Sequence, residues 1–123
     1  MKRAIFTFYN LSLDTDIVRL QAEVVKKFNI TADFLPLCSQ THGEEVIHPD
    51  AVDYGFNQLF VEQKYDTVLL LDVDCIPLNS YALEYTFEQA EKGKLIGNVQ
   101  RGMHLNNDEH NYVAPSAFCL SRQ

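Results

Sequence analysis

A short apolar run that ends in two aspartates is the feature that most constrains this chain. Residues 67–71, "TVLLL", carry no charge, and such a run is typical of a strand buried on both faces of a sheet. Strands of this kind belong to sheets that helices cover on both sides, so the run predicts an α/β fold. Asp72 and Asp74 follow directly and are therefore expected at the carboxyl end of the strand.

The rest of the chain alternates between strand-like and helix-like segments. The pattern predicts strands at residues 3–9, 30–37, 67–71, 94–100 and 112–121, and helices at 14–28, 49–63 and 79–93. Between the last two strands, residues 101–111 are predicted to form a polar loop. This order predicts a single domain, residues 1–123, with α/β/α layers and a mainly parallel sheet.

Apolar residues three and four apart give each helical segment a predicted buried stripe. The three stripes are Ile17, Leu20, Val24 and Phe28; Val52, Phe56, Leu59 and Phe60; and Leu83, Phe87 and Ala90. The third helix also has boundary signals, since Asn79 or Ser80 can serve as its N-cap and Gly93 as its stop.

Composition argues against several classes of function. Seventeen acidic residues against ten basic ones give a formal charge of −7, so nucleic acid is not an expected partner. No apolar run approaches the length of a membrane span and the N-terminus lacks a secretory pattern, so we expect a cytoplasmic protein without a membrane span. Cys38, Cys75 and Cys119 are odd in number and lie in separate apolar runs, which favours reduced, buried thiols over disulfides or a zinc site.

The spacing of Asp72 and Asp74 predicts a metal site. Residues two apart in extended chain point the same way and lie about 6.5 Å apart, so both carboxylates can converge on one cation. Carboxylate oxygens suit Mg²⁺ or Mn²⁺. The alternative is that both aspartates are turn residues, because Pro77 and Asn79 follow them.

The segment "YDTVLLLDVDCIPLN" resembles the central segment of GT-A-fold glycosyltransferases, with an aromatic-Asp lead-in, an apolar strand, Asp-x-Asp and a proline. The later segment "IGNVQRGMHLNNDEHNYVAPSAFCLSR" is more weakly similar to the part of these enzymes beside the sugar site. The resemblance implies a Rossmann-like GT-A fold and a nucleotide-diphosphate sugar as donor. It also implies that Asp72 and Asp74 hold Mn²⁺ or Mg²⁺ against the diphosphate of that donor.

Four further residues are expected beside the nucleotide or its diphosphate. The resemblance implies that Phe8, Tyr9 and Asn10, after the first strand, contact the base and ribose. Arg101 follows the strand at residues 94–100 and is expected to supply a cation for the diphosphate. These residues complete the predicted donor site.

The resemblance covers only the donor-binding half of such a domain. It implies that the acceptor-binding half is absent from these 123 residues, as though the fold were truncated at its C-terminus. No catalytic base is identified, the acceptor is unknown, and inverting and retaining outcomes stay open. A truncated sheet would expose an edge around "YVAPSAFCL", so a homo-oligomer is a further expectation.

Two alternatives stay open. The first is a non-catalytic remnant of the same fold that binds nucleotide and metal, or only a protein partner. The second is a haloacid dehalogenase-like phosphatase, because the segment "LLLDVDCIPL" also resembles the first motif of that family. In that family the motif normally opens the fold, whereas two predicted strand–helix units precede it here, so the phosphatase is the more distant alternative.

Overall fold

The fold is described from a computed structural model. It describes residues 1–9, 15–28, 32–38, 40–41, 44–45, 48–72, 75–77, 79–105 and 108–122, with the backbone alone for 38, 40–41, 44–45, 48–51, 98–105 and 108–116. The elements, in chain order, are β1 Arg3–Tyr9, α1 Thr15–Phe28, β2 Asp33–Cys38, β3 Gln40–Thr41, β4 Glu44–Glu45, α2 His48–Asn57 with a π-helical turn Gln58–Glu62, β5 Thr67–Leu71, α3 Ser80–Glu91, β6 Ile96–Leu105 and β7 Asp108–Ser121.

Five strands form one mixed sheet in the order β2-β1-β5-β7-β6. β1 pairs in parallel with β2 and β5, whereas β7 is antiparallel to both β5 and β6. Four strands therefore share one direction and β7 runs against them. The predicted α/β class is confirmed, and the sheet is mixed because β6 and β7 form a hairpin.

Helices pack on both faces of the sheet because side chains alternate along its central strands. On one face, Ile5 and Leu69 pack against Val25 of α1 and Phe87 of α3. On the other face, Phe6 and Leu70 pack against residues of α2 and the π-helical turn, including Leu59. All five residues of β5 are buried, as its uncharged sequence predicts.

Two of the three predicted helix stripes are confirmed. Val52, Phe56, Leu59 and Phe60 pack on the sheet, and so do Leu83, Phe87 and Ala90. The predicted boundaries of α3 are confirmed as well: Asn79 accepts a hydrogen bond from the Ala82 amide at 2.7 Å, and Gly93 has a φ of 85°.

The predicted stripe of α1 is confirmed at Phe28, which packs on the core, and wrong at Ile17 and Leu20. These two residues are exposed, whereas Gln21 and Val25 are fully buried. The helix is therefore rotated so that a polar residue, rather than Leu20, faces the sheet. The contacts of Gln21 explain this rotation and are described with the candidate site.

The predicted loop at residues 101–111 is also wrong. β6 continues to Leu105 and β7 begins at Asp108, so most of this segment is a two-stranded ribbon. Its register shifts between Gly97 and Val99 and again between Gly102 and Leu105. Pro115 of β7 lies opposite the first of these shifts, where a residue without an amide hydrogen removes no regular pair.

The segment "YVAPSAFCL" was predicted to form an exposed edge of the sheet, and this prediction is wrong for the second half of the segment. Phe118 and Cys119 pair with β5 on one side and β6 on the other, so this part of β7 is inside the sheet. Cys119 is fully buried, and burial raises the pKa of its thiol to about 12. This thiol is therefore neutral and shielded, as predicted for a buried cysteine.

The residues before β5 anchor its amino end. The Tyr65 hydroxyl donates to the Asp33 carboxylate at 2.7 Å, and the Asp66 carboxylate accepts from the Lys2 amide at 2.8 Å. Burial, followed by the hydrogen bond to Asp33, raises the pKa of Tyr65 to about 12. Tyr65 and Asp66 thus connect β5 to β1 and β2 at the end of the strand opposite Asp72.

Gly55 allows α2 to approach β1. A Cβ atom at this position would lie 2.7 Å from ring carbons of Phe6 and Phe8. The Phe6 ring cannot move easily, because it is fully buried and packs edge-on against Phe8 and Phe56 at 5.3 and 5.1 Å.

We expect Gly55→Ala to lower the free energy of unfolding by about 1–2 kcal/mol, because the clash outweighs the gain in helix propensity. Urea unfolding monitored by circular dichroism measures the change. Asp53→Ala on the exposed side of the same helix is the control and should change stability by less than about 0.5 kcal/mol. A Gly55→Ala protein more stable than the wild type would contradict this account of the packing.

Candidate functional site

The carboxyl ends of β1 and β5 meet where the chain connections diverge. From β1 the chain passes through α1 to β2 on one side, and from β5 it passes through α3 to the β6–β7 hairpin on the other. In open α/β sheets this point leaves a crevice in which ligands bind. Residues that follow β1 and β5 are therefore expected to line a ligand-binding crevice.

Asp72 is the first residue after β5 and is half-buried. Its main-chain carbonyl accepts two hydrogen bonds, from the Cys75 amide at 2.8 Å and from Nε2 of Gln21 at 2.7 Å. The bond from Cys75 joins residues three apart, which is the bond that closes a β-turn. The backbone at Asp72 is thus held in place on two sides. Asp74 lies outside the described residues.

Gln21 links α1 to the turn after β5. It is fully buried, and its Nε2 donates to the carbonyls of both Asp72 and Cys75, at 2.7 and 2.9 Å. Its Oε1 is buried without a hydrogen-bond partner among the described residues. One amide group therefore fixes both ends of the segment 72–75.

Phe8 and Tyr9 lie at the carboxyl end of β1, the strand that pairs in parallel with β5, and both are half-buried. The Phe8 ring contributes to the packing of α2 through its edge-on contact with Phe6. Tyr9 lies opposite Cys38 in the parallel ladder with β2. Asn10, the third residue predicted beside the base and ribose, lies outside the described part of the chain.

The β6–β7 ribbon extends beyond the same edge of the sheet. Leu71, the last residue of β5, pairs with Ala117, so residues 108–116 of β7 continue past the end of β5. Arg101 lies in this extension, opposite Asn111. The backbone of Arg101 thus lies beyond the same strand ends as Asp72. The side chain of Arg101 lies outside the described part of the structure.

An apolar groove of about 230 Å³ lies beside the turn, between α3 and the strands β5, β6 and β7. Cys75 and Pro77 line it next to the turn, and Leu71, Leu83 and Ile96 contribute apolar walls. The groove therefore suits apolar rather than charged groups.

The helices favour anions at this edge of the sheet. α1 follows the end of β1 and α3 follows the end of β5, so the amino-terminal ends of these two helices, which carry partial positive charge, are directed towards it. Phosphate groups bind readily in such surroundings. The edge thus combines a carboxylate, which attracts a cation, with helix ends that attract an anion.

The described residues contain no group of three or more His, Cys, Asp or Glu side chains that could hold a metal ion. Asp74 lies outside these residues. Among the same residues, no helix is long and apolar enough to cross a membrane. No protein-family model matches the chain, and no curated protein matches it.

Sequence reasoning missed Gln21 and the apolar groove. A signal for Gln21 was present, because it stands between Val18 and Val25 at spacings of three and four and so falls on a possible apolar stripe. The groove had no local signal, since its walls come from three strands, a helix and the turn after β5.

Proposed function

We propose that this chain is the donor-binding part of a metal-dependent glycosyltransferase with a GT-A-like fold. The observation that carries the proposal is the placement of Asp72, which follows the buried strand β5 beside the end of β1, where the chain connections diverge. A turn residue alone would not need this position. The two strand–helix units before β5 also favour this proposal over a haloacid dehalogenase-like phosphatase.

The residues at this edge fit a hard cation and a diphosphate. Asp72 and Asp74 would hold Mn²⁺ or Mg²⁺, because carboxylate oxygens are the ligands such cations prefer. When bound, the cation would neutralise charge that develops on the leaving diphosphate. The amino-terminal ends of α1 and α3 would stabilise the same phosphates, and Arg101 would add a charge from the ribbon.

The nucleoside would lie at the end of β1. Tyr9 would contact the base or ribose, together with Asn10, and Phe8 would support them from the packed side of the strand. We assign no catalytic base and no acceptor. Transfer of the sugar would therefore depend on residues beyond those assigned here, and binding of the donor is the activity that these residues support directly.

Nucleoside diphosphate and cation are expected to bind cooperatively. Calorimetry with uridine or guanosine diphosphate should show binding that Mn²⁺ strengthens by about 5- to 150-fold. Chelation of the cation with EDTA should remove the enhancement. Nucleotide binding of equal strength with and without Mn²⁺ would contradict the metal site, and binding without sugar transfer or donor hydrolysis would identify a non-catalytic donor-binding domain.

A further inference from the structure

We infer that Gln21 is a positioning residue that fixes the turn after β5 so that Asp72 can bind the cation. This inference rests on the proposed metal site. The side chain donates from one nitrogen to the carbonyls of Asp72 and Cys75, at 2.7 and 2.9 Å. These two carbonyls lie at the first and last residues of the turn, so Gln21 holds the backbone on both sides of Val73 and Asp74.

The energetics of Gln21 favour a role in the site over a role in stability alone. The residue is fully buried on the sheet-facing side of α1, and its Oε1 has no hydrogen-bond partner among the described residues. A buried acceptor without a partner destabilises the folded state. Methionine has a similar shape and no such acceptor, so packing alone would be satisfied by an apolar residue. A polar side chain at a position that an apolar residue could fill is expected where that side chain has a role in a functional site.

The two bonds also connect the two halves of the candidate site. α1 follows the end of β1, where Phe8 and Tyr9 lie, and the turn follows β5. Gln21 reaches across 51 and 54 residues of sequence to join them. Outer hydrogen-bond partners of this type orient metal ligands, and their loss typically weakens metal binding by about 10- to 100-fold. We expect the same range for Gln21.

The test is Gln21→Met, with Gln89→Met as the matched control. Gln89 is also on a helix, and among the described residues its side chain accepts a hydrogen bond from the exposed Lys94 at 2.7 Å. Electron paramagnetic resonance titration with Mn²⁺ alone should show binding weakened by about 10- to 100-fold in Gln21→Met and unchanged in Gln89→Met. Thermal unfolding should show that both variants fold. If Gln21→Met does not fold, Gln21→Asn takes its place, because the shorter amide cannot reach both carbonyls.

A second readout needs no metal. The Cys75 amide donates to the Asp72 carbonyl at 2.8 Å, so its hydrogen exchange reports on the turn. We expect exchange about tenfold faster in Gln21→Met than in the wild type. Wild-type exchange at Cys75 together with wild-type Mn²⁺ affinity would overturn the inference. If the wild-type protein does not bind Mn²⁺, the proposed function fails instead, and the exchange rate alone decides whether Gln21 holds the turn.

Discussion

Asp72→Asn is expected to abolish the Mn²⁺-dependent binding of nucleoside diphosphate and to leave the protein folded. The substitution keeps the main-chain carbonyl that accepts hydrogen bonds from Gln21 and Cys75, so the turn should persist. It removes one negative charge from the pair that would hold the cation, and hard cations bind charged carboxylates far better than amides. Calorimetry with uridine diphosphate and Mn²⁺ measures the loss, and circular dichroism checks the fold.

The matched control is Asp66→Asn, at the other end of the same strand. Asp66 accepts a hydrogen bond from the Lys2 amide, which an asparagine oxygen can also accept. Six residues of extended chain separate it from Asp72 by about 20 Å, well beyond the screening length at physiological salt. Asp66→Asn should therefore bind as the wild type does, whereas Asp74→Asn should resemble Asp72→Asn. Equal binding by all three variants would support the alternative in which the two aspartates are only turn residues.

Local chemistry allowed much of the fold to be predicted from sequence. The uncharged run at β5 is typical of a strand buried on both faces, and its five residues are buried. Asn79 and Gly93 mark the two ends of α3 through local properties: the Asn79 side chain accepts a hydrogen bond from the first turn, and Gly93 adopts a positive φ. These features depend on residues a few positions apart, which is the range over which sequence patterns carry information.

Features that depend on distant partners could not be predicted in this way. Gln21 faces the sheet because it meets carbonyls more than fifty residues away, and that partnership rotates α1 away from the stripe expected from Ile17 and Leu20. The ribbon formed by β6 and β7 was also missed, because its polar residues read as a loop until pairing between strands is considered. The position of the aspartate pair after β5 was predicted, but Gln21 and the apolar groove near it were not.

An ion cluster holds α3 against the beginning of β1. Arg3 binds Glu91 through two nitrogens, at 2.6 and 2.9 Å, and Glu84 through a third at 2.8 Å. The Arg3 side chain is only 12% exposed and stacks over the Phe87 ring at 5.2 Å. The hydrogen bonds to Glu91 and then to Glu84 raise the pKa of Arg3, although burial opposes them. The cluster fixes the helix whose first turn follows the candidate site.

Arg3→Met is expected to lower the free energy of unfolding by about 2–3 kcal/mol, because it leaves two partly buried carboxylates without their cation. Arg19→Met is the matched control: Arg19 pairs with Asp16 at 2.6 Å, but both side chains are mostly exposed, at 65% and 76%. Exposed pairs contribute little, so this control should lose less than about 0.5 kcal/mol. Urea unfolding of the two variants measures the difference. Equal losses in the two variants would show that the cluster does not stabilise α3.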